Sequence, residues 1–186
     1  MEVIPEGLDA ARVLLAHLPG AMERAAARAV NRTTASVKKA AAEKTAEEYY
    51  TKQKNVKETM SVSKATPKKL VAALMSKGTR IPLSAFKISP NKVDSKNRAI
   101  MQAQVKRTGS GGVIRRAFLV KFASGHTALM ERRGRPRLPI DELYGPAVPQ
   151  MMSQQPVTSV MSKESEAVLS KRMEHEVDAV LKGYAK

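Results

Sequence analysis

Ala117-Phe118-Leu119-Val120-Lys121-Phe122-Ala123-Ser124-Gly125-His126-Thr127-Ala128-Leu129-Met130-Glu131 is the stretch on which the reading of the fold turns. Two short apolar runs flank a Ser-Gly-His step. Runs of this length, rich in β-branched and aromatic residues and joined through glycine, read as two strands of a hairpin. The hairpin supplies the centre of a sheet, and the rest of the chain is placed around it.

Upstream, Ala99, Met101, Ala103 and Val105 alternate with polar or long residues, the pattern of a half-buried strand. Thr108-Gly109-Ser110-Gly111-Gly112 reads as a flexible connection. Met60, Val62 and Lys64 begin another β-like run, which Thr66-Pro67 interrupts. Leu70 to Met75 reads as a strand or a helical turn, the strand being favoured by the Lys77-Gly78-Thr79 that follows. Ile81-Pro82-Leu83 is extended but not central, because proline has no N–H to donate to a ladder. Ser89-Pro90-Asn91 is turn chemistry.

Further upstream the period changes. Leu8, Ala11, Leu14, Leu15 and Leu18 fall at helical spacing until Pro19-Gly20 breaks it. A second helix is expected from Ala21 to about Tyr50. Met22, Ala25, Ala26, Ala29, Val30, Val37, Ala40 and Ala41 form its stripe, and Glu23, Arg24, Arg28, Arg32, Lys38, Lys39 and Glu43 its wet face. Alanine has the highest helix propensity, and an alanine face lets a neighbour approach closely. That stripe must be buried on the chain's own sheet, in a seam between subunits, or in both. Thr51 to Glu58 adds one or two turns. Downstream of the hairpin, Arg132-Arg133-Gly134-Arg135-Pro136-Arg137 is a basic loop, and Pro139, Pro146, Pro149 and Pro156 imply an irregular stretch. A last helix is expected from Ser159 to Tyr184. Val160, Ala167, Val168, Val177, Val180 and Leu181 lie on its apolar side, with Lys163, Glu164, Glu166, Arg172 and Glu174 elsewhere.

The expected fold class is therefore α+β: two N-terminal helices (one long and Ala-rich), a small mostly antiparallel β-sheet, and a C-terminal helix. Hydrophobic residues make up 42% of the 186, but aromatics only 4%, with no Trp. The core has to come from Ala, Val, Leu, Ile and Met, which makes it thin and favours further burial against other subunits. Cysteine is absent, so disulfides and thiolate metal sites are excluded. No window approaches the about 18 apolar residues of a membrane span, and the acidic Met1–Glu6 start does not read as a secretory signal.

Charge is unevenly distributed. Residues 1–60 carry a net +2 and residues 141–186 a net −2, while residues 61–140 hold eighteen Lys and Arg against Asp94 and Glu131, a net +16. A field of one sign suits a polyanion or an acidic protein surface. Lys106, Arg107, Arg115, Arg116, Lys121, Arg132, Arg133, Arg135 and Arg137 gather around the hairpin in sequence. They can contact phosphates without reading sequence, pair with acidic patches on a neighbouring subunit, or form a solvated basic face. Zinc-finger spacing, an aromatic ribonucleoprotein strand motif and a clear helix-turn-helix signature are all missing.

Catalytic constellations are missing as well. Ser110, in Gly109-Ser110-Gly111, lacks the Gly-x-Ser-x-Gly elbow, and no Gly-Lys-Ser/Thr follows to make a phosphate loop. His17, His126 and His175 have no second ligand at metal spacing, although Glu174 and Asp178 lie near His175. The middle segment offers only two carboxylates for acid–base work. The sequence is thus expected to be non-enzymatic, with no cofactor and no metal.

Ala117-Phe118-Leu119-Val120, Gly125-His126, Glu131-Arg132-Arg133, Arg137-Leu138-Pro139-Ile140 and Leu143-Tyr144-Gly145-Pro146-Ala147-Val148-Pro149-Gln150-Met151 together resemble the prophage minor tail protein Z family. Ala27-Arg28-Ala29-Val30-Asn31-Arg32-Thr33 is similar to that family's first long helix. The most specific piece is Leu-Pro-Ile followed by Leu-Tyr-Gly-Pro-x-x-Pro-Gln-Met.

The resemblance implies a structural virion protein of a tailed bacteriophage, made in the host cytoplasm. It would be a tail-completion or neck subunit, forming a ring of sixfold symmetry at the head-proximal end of the tail. Its partners would be the tail terminator and tail tube on one side and head-connector proteins on the other, with phage DNA passing through and no membrane involved. On this reading residues 1–186 form one tail-completion domain. Its helical part is 7–50, its sheet part 59–131, its basic proline-rich connection 132–158 and its terminal helix 159–184. Lys106, Arg107, Arg115, Arg116, Arg132, Arg133, Arg135 and Arg137 are the candidates to face DNA or a partner; Leu143, Tyr144, Val148 and Met151 are the candidates for contacts with other subunits or the tail. The alternatives are a non-specific nucleic-acid-binding protein and, more remotely, an assembly chaperone that leaves before maturation.

Overall fold

The computed structural model describes residues 20–93 and 100–182, except the side chain of Leu181. The first expected helix, around Leu8–Leu18, and the position of Ala99 lie outside the described residues. Two long helices bracket short antiparallel strands, so the class is α+β. Instead of one sheet, the strands form four small ones of two or three strands each. The chain divides into two compact units. One comprises residues 1–42, 60–76 and 154–186, the other residues 43–59 and 77–153.

The first unit contains most of helix α1 (Ala21–Glu48) and all of helix α4 (Gln155–Leu181). Ala21, Ala25, Ala29, Thr33, Val37 and Ala41 are buried. Their spacing of four is one face of a 3.6-residue helix. The buried threonine is satisfied locally: its hydroxyl donates to the Ala29 carbonyl at 2.9 Å. Ala21 and Ala25 cluster with Val180 of α4, and Met22 and Val177 pack around them.

Residues assigned to the wet face of α1 bind protein as well. Arg28 donates to Glu176 of α4 at 2.5 Å, and Glu176 is buried. Lys38 donates to the Met60 carbonyl at 3.0 Å. Ala167, expected on the apolar side of α4, is exposed, and the buried positions are Val157, Glu176 and Val180. The helix also starts earlier than Ser159, because Pro156 sits in its first turn, where no N–H is required.

The remaining strands of this unit are β1 (Met60–Ser63) and β2 (Ala73–Ser76), paired with Met60 opposite Ser76 and Val62 opposite Leu74. Asn31 ties the chain after β1 to α1. Its amide donates to the Ala65 carbonyl at 2.9 Å and its oxygen accepts the Ala65 N–H at 2.8 Å. This is how one strand neighbour would satisfy another, supplied here by a side chain.

The second unit holds the last turns of α1, the short helix α2 (Gln53–Glu58) and the other three sheets. The expected hairpin is β7 (Ala117–Lys121) and β8 (Thr127–Arg132), in register from Ala117 opposite Glu131 to Lys121 opposite Thr127. Gly125 in its turn has φ of 85° and donates to the Phe122 carbonyl at 2.9 Å. Strand β8 is central, because β9 (Ile140–Glu142) pairs with its other edge. Ala128, Leu129 and Met130 are consequently all buried.

A second sheet orders β4 (Lys87–Ser89), β5 (Met101–Gln104) and β6 (Gly112–Ile114). The glycine-rich stretch read as a flexible connection is the turn of the β5–β6 hairpin. Gln104 donates from its amide to the Gly109 carbonyl at 2.7 Å, and Gly111 adopts φ of 73°. A Cβ on Gly111 would stand 2.9 Å from the Ala103 carbonyl oxygen, so only glycine fits without a shift.

The third sheet pairs β3 (Arg80–Pro82) with β10 (Tyr144–Ala147), and the helical turn α3 (Val148–Met152) follows directly. Residues 140–152, expected to be irregular on account of their prolines, therefore carry two strands and a helical turn. Pro82 and Pro146 lie in a two-stranded sheet, where half the backbone groups have no ladder partner to lose. Pro149 lies in the first turn of α3.

Candidate functional site

The string Leu143–Met151 can be explained residue by residue. Leu143 joins two sheets: its N–H donates to the Leu129 carbonyl at 2.9 Å, and its carbonyl accepts the Leu83 N–H at 2.8 Å. Gly145 lies against the buried ring of Phe86, and a Cβ there would come within 2.6 Å of that ring. Gln150 accepts the Ala147 N–H at 3.0 Å and so caps α3. Val148 and Met151, candidates for contact with neighbours, are 2% and 1% exposed. They fill the core of their own unit. Leu143 is half-buried, and only Tyr144, half exposed, faces outward.

Tyr144 belongs to a small polar group. Its hydroxyl donates to Glu142 at 2.8 Å, and Glu142 also meets His126 Nε2 at 3.1 Å. The hydrogen bond to Glu142 raises the Tyr144 pKa, because it favours the protonated phenol. The His126 ring stacks on Phe122 with centroids 6.1 Å apart. Among the described residues no group of three or more His, Asp, Glu or Cys side chains is placed to hold a metal ion.

The basic residues fall into three places. Hairpin register puts Arg116, just before β7, beside the end of β8. Arg115, Arg116, Arg132, Arg133, Arg135 and Arg137 therefore share one end of the β7–β8–β9 sheet, and Lys121 belongs to the other end. Two of these arginines serve the fold. Arg132 lies over Phe118, 4.9 Å from the ring centre, and donates to the Arg137 carbonyl at 3.0 Å. Arg133 makes a bidentate pair with Asp141 at 2.5 and 3.1 Å, and that pairing holds its guanidinium pKa up. Arg115, Arg116, Arg135 and Arg137 are exposed and have no ion pair among the described residues.

Lys106 and Arg107 sit instead at the C-terminal end of α1. Arg107 donates from Nε to the carbonyls of Ala46 and Tyr49 at 3.0 and 3.3 Å, and its backbone N–H donates to the Glu48 carbonyl at 2.8 Å. Those carbonyls have no partner inside the helix, and a cation is favoured at that end of the dipole. Its guanidinium also lies 4.8 Å from the Tyr50 ring centre, with the Lys87 ammonium 5.3 Å from the same ring. Lys106 is 5.9 Å from the ring of Tyr49, whose burial raises its phenol pKa.

Sequence reasoning missed the grouping of Tyr50 and Lys87 with Arg107, and it missed Gly145 and Phe86 as a packed pair. The available signal was Tyr49-Tyr50 at a helix end in a chain with four tyrosines.

The family model of prophage minor tail protein Z matches residues 6–186. The chain belongs to the prophage minor tail protein Z family. No curated protein and no solved structure matches it. As a minor tail protein it has a structural role in a phage tail and meets other phage structural proteins. Among the described residues no helix is long and apolar enough to cross a membrane.

Proposed function

We propose that this minor tail protein is the tail-completion, or neck, subunit of its phage. Copies of the chain form a ring, sixfold in symmetry, at the head-proximal end of the tail. The ring joins the tail terminator and tube to head-connector proteins and lets DNA pass. Residues 1–186 act as one tail-completion domain, without enzymatic activity. The observation that carries this reading is the set of exposed, unpaired arginines at one end of the β7–β8–β9 sheet: Arg115, Arg116, Arg135 and Arg137. Cations that nothing in the fold needs suit a conduit for a polyanion, attracting phosphates through counterion release without sequence preference. A head-to-tail ring would also bury apolar surface that a thin core leaves over, such as Leu70, Val71 and Met75 near and in β2.

Mass photometry of the purified protein, alone and with isolated tails, tests the ring. A closed oligomer that caps tails is the expected result, and a strict monomer that never associates with tails would sink the reading. The same arginines favour non-specific nucleic-acid binding as the second reading. In that case the protein binds duplex DNA tightly at low salt without any tail partner. Replacing Arg115, Arg116, Arg135 and Arg137 with Gln then flattens the salt dependence, each lost phosphate contact lowering its log–log slope by roughly 0.9.

A further inference from the structure

A cleft of about 530 Å³ opens beside the end of α1, lined by Tyr50, Lys52, Ile81, Phe86, Lys87 and Arg107 among others, with no Asp or Glu in its wall. We propose that it is a docking site for an acidic peptide segment of a neighbouring tail protein, with Arg107 taking a carboxylate. The tail role supplies the source of that peptide, so the inference rests on the minor-tail reading but not on ring formation.

Arg107 is pre-organised for such a contact. Its Nε is engaged by the helix carbonyls and its plane lies over Tyr50, while its terminal Nη groups have no hydrogen-bond partner among the described residues. A guanidinium held this way presents a fixed fork, the geometry that matches a carboxylate with two parallel hydrogen bonds. Because the side chain is already ordered, binding costs less rotamer entropy. Lys87 is also held, through its Nζ to the Tyr50 hydroxyl at 3.4 Å, and Lys52 adds a third cation.

Three features favour a peptide over a nucleic acid. Ile81 and Phe86 give the cleft an apolar wall, which suits a side chain next to a carboxylate and gives a phosphodiester nothing to match. Base stacking needs an open aromatic face, yet the Tyr50 ring already has two cations within 5.3 Å and Phe86 is buried against Gly145. The volume is that of a small-ligand pocket and cannot admit a duplex.

The test is fluorescence polarisation on the full chain, using a fluorescein-labelled octapeptide of alternating Glu and Leu. The wild-type protein is expected to bind it in a salt-sensitive way. The exposed pair Lys52→Gln and Lys87→Gln should weaken binding about tenfold, and Arg107→Lys by at least about tenfold, since charge-assisted hydrogen bonds are lost. Circular dichroism on each variant separates lost binding from lost folding, and the lysine pair touches no buried group. An unlabelled single-stranded octanucleotide is expected not to displace the peptide. The proposal is overturned if wild type shows no salt-sensitive binding, if the lysine pair binds the peptide as wild type does, or if the oligonucleotide competes and loses its own binding with the same substitutions. Mass photometry on the same samples reports the ring separately: peptide binding by a protein that stays monomeric removes the ring and leaves the cleft assignment intact.

Discussion

The two units of this chain solve the same problem with different side chains. The first buries an alanine stripe from Ala21 to Ala41 and reinforces it with polar clamps, Arg28 to Glu176, Lys38 to Met60 and Asn31 to Ala65. The second buries Leu129, Met151, Met152, Phe86 and Leu83 around small sheets. An alanine releases little apolar area on burial, so a helix pair built on it gains little from each contact, and polar links fix its register. A leucine or phenylalanine contributes roughly 1.5–3 kcal/mol when buried, so the sheet unit can be specified by shape. Both units also commit cations to their folds, Arg28 and Lys38 in the helical unit and Arg107 and Arg133 in the sheet unit, while Arg115, Arg116, Arg135 and Arg137 of the sheet unit stay exposed.

The sharpest way to break that comparison is to truncate the largest fully buried side chain. Leu129→Ala should cost about 2–5 kcal/mol, since it leaves a cavity in the middle strand of the β7–β8–β9 sheet. Val157→Ala, at a fully buried position of the helical unit, removes less volume and should cost clearly less. Hydrogen exchange read separately over each unit, with urea melts of the same variants, checks the order. Equal losses would mean that shape matters as much in the alanine unit as in the other.

A smaller effect should follow from Gly145→Ala. The added methyl would meet the Phe86 ring at 2.6 Å, and Phe86 is buried, so the ring or the strand must move. Overpacking of this kind costs about 1–3 kcal/mol. The second substitution Phe86→Leu, made on top of it, should recover part of the loss by removing the ring edge. A melting curve for Gly145→Ala that overlays wild type would show that the Phe86 ring yields without cost.

How much of this was legible in the sequence depended on whether the signal was local. The α1 stripe is periodic over many turns, so Ala21 to Glu48 could be read directly. The β7–β8 hairpin announced itself through two apolar runs around Gly125. The stretch from Pro139 to Pro156 misled, because its four prolines argue against regular structure unless one knows which positions need no N–H. Pro146 sits on a two-stranded sheet, and Pro149 and Pro156 sit in first turns. The basic run was illegible in another way. Nothing in Arg132-Arg133 says that the first lies on Phe118 and the second is neutralised by Asp141 from the next strand. The cleft was invisible for the same reason, since Tyr50, Lys87 and Arg107 come from three separate elements and meet only in the fold.

The last prediction bears on the clamps of the helical unit. Asn31 makes two hydrogen bonds to the backbone of Ala65, which is buried, and replaces the strand partner that residue lacks. Asn31→Ala leaves both the N–H and the carbonyl of Ala65 without that partner, at a cost of about 1–2 kcal/mol. Asn31→Asp separates the two bonds: the carboxylate still accepts from the Ala65 N–H but has no proton to donate to its carbonyl. At neutral pH it should therefore be less stable than wild type yet retain part of the clamp, and protonating it in acid should restore a donor. Amide exchange at Ala65 reads this directly, with protection greatest in wild type, intermediate in Asn31→Asp and lowest in Asn31→Ala. Unchanged protection in all three would show that the alanine stripe holds the unit together without polar help.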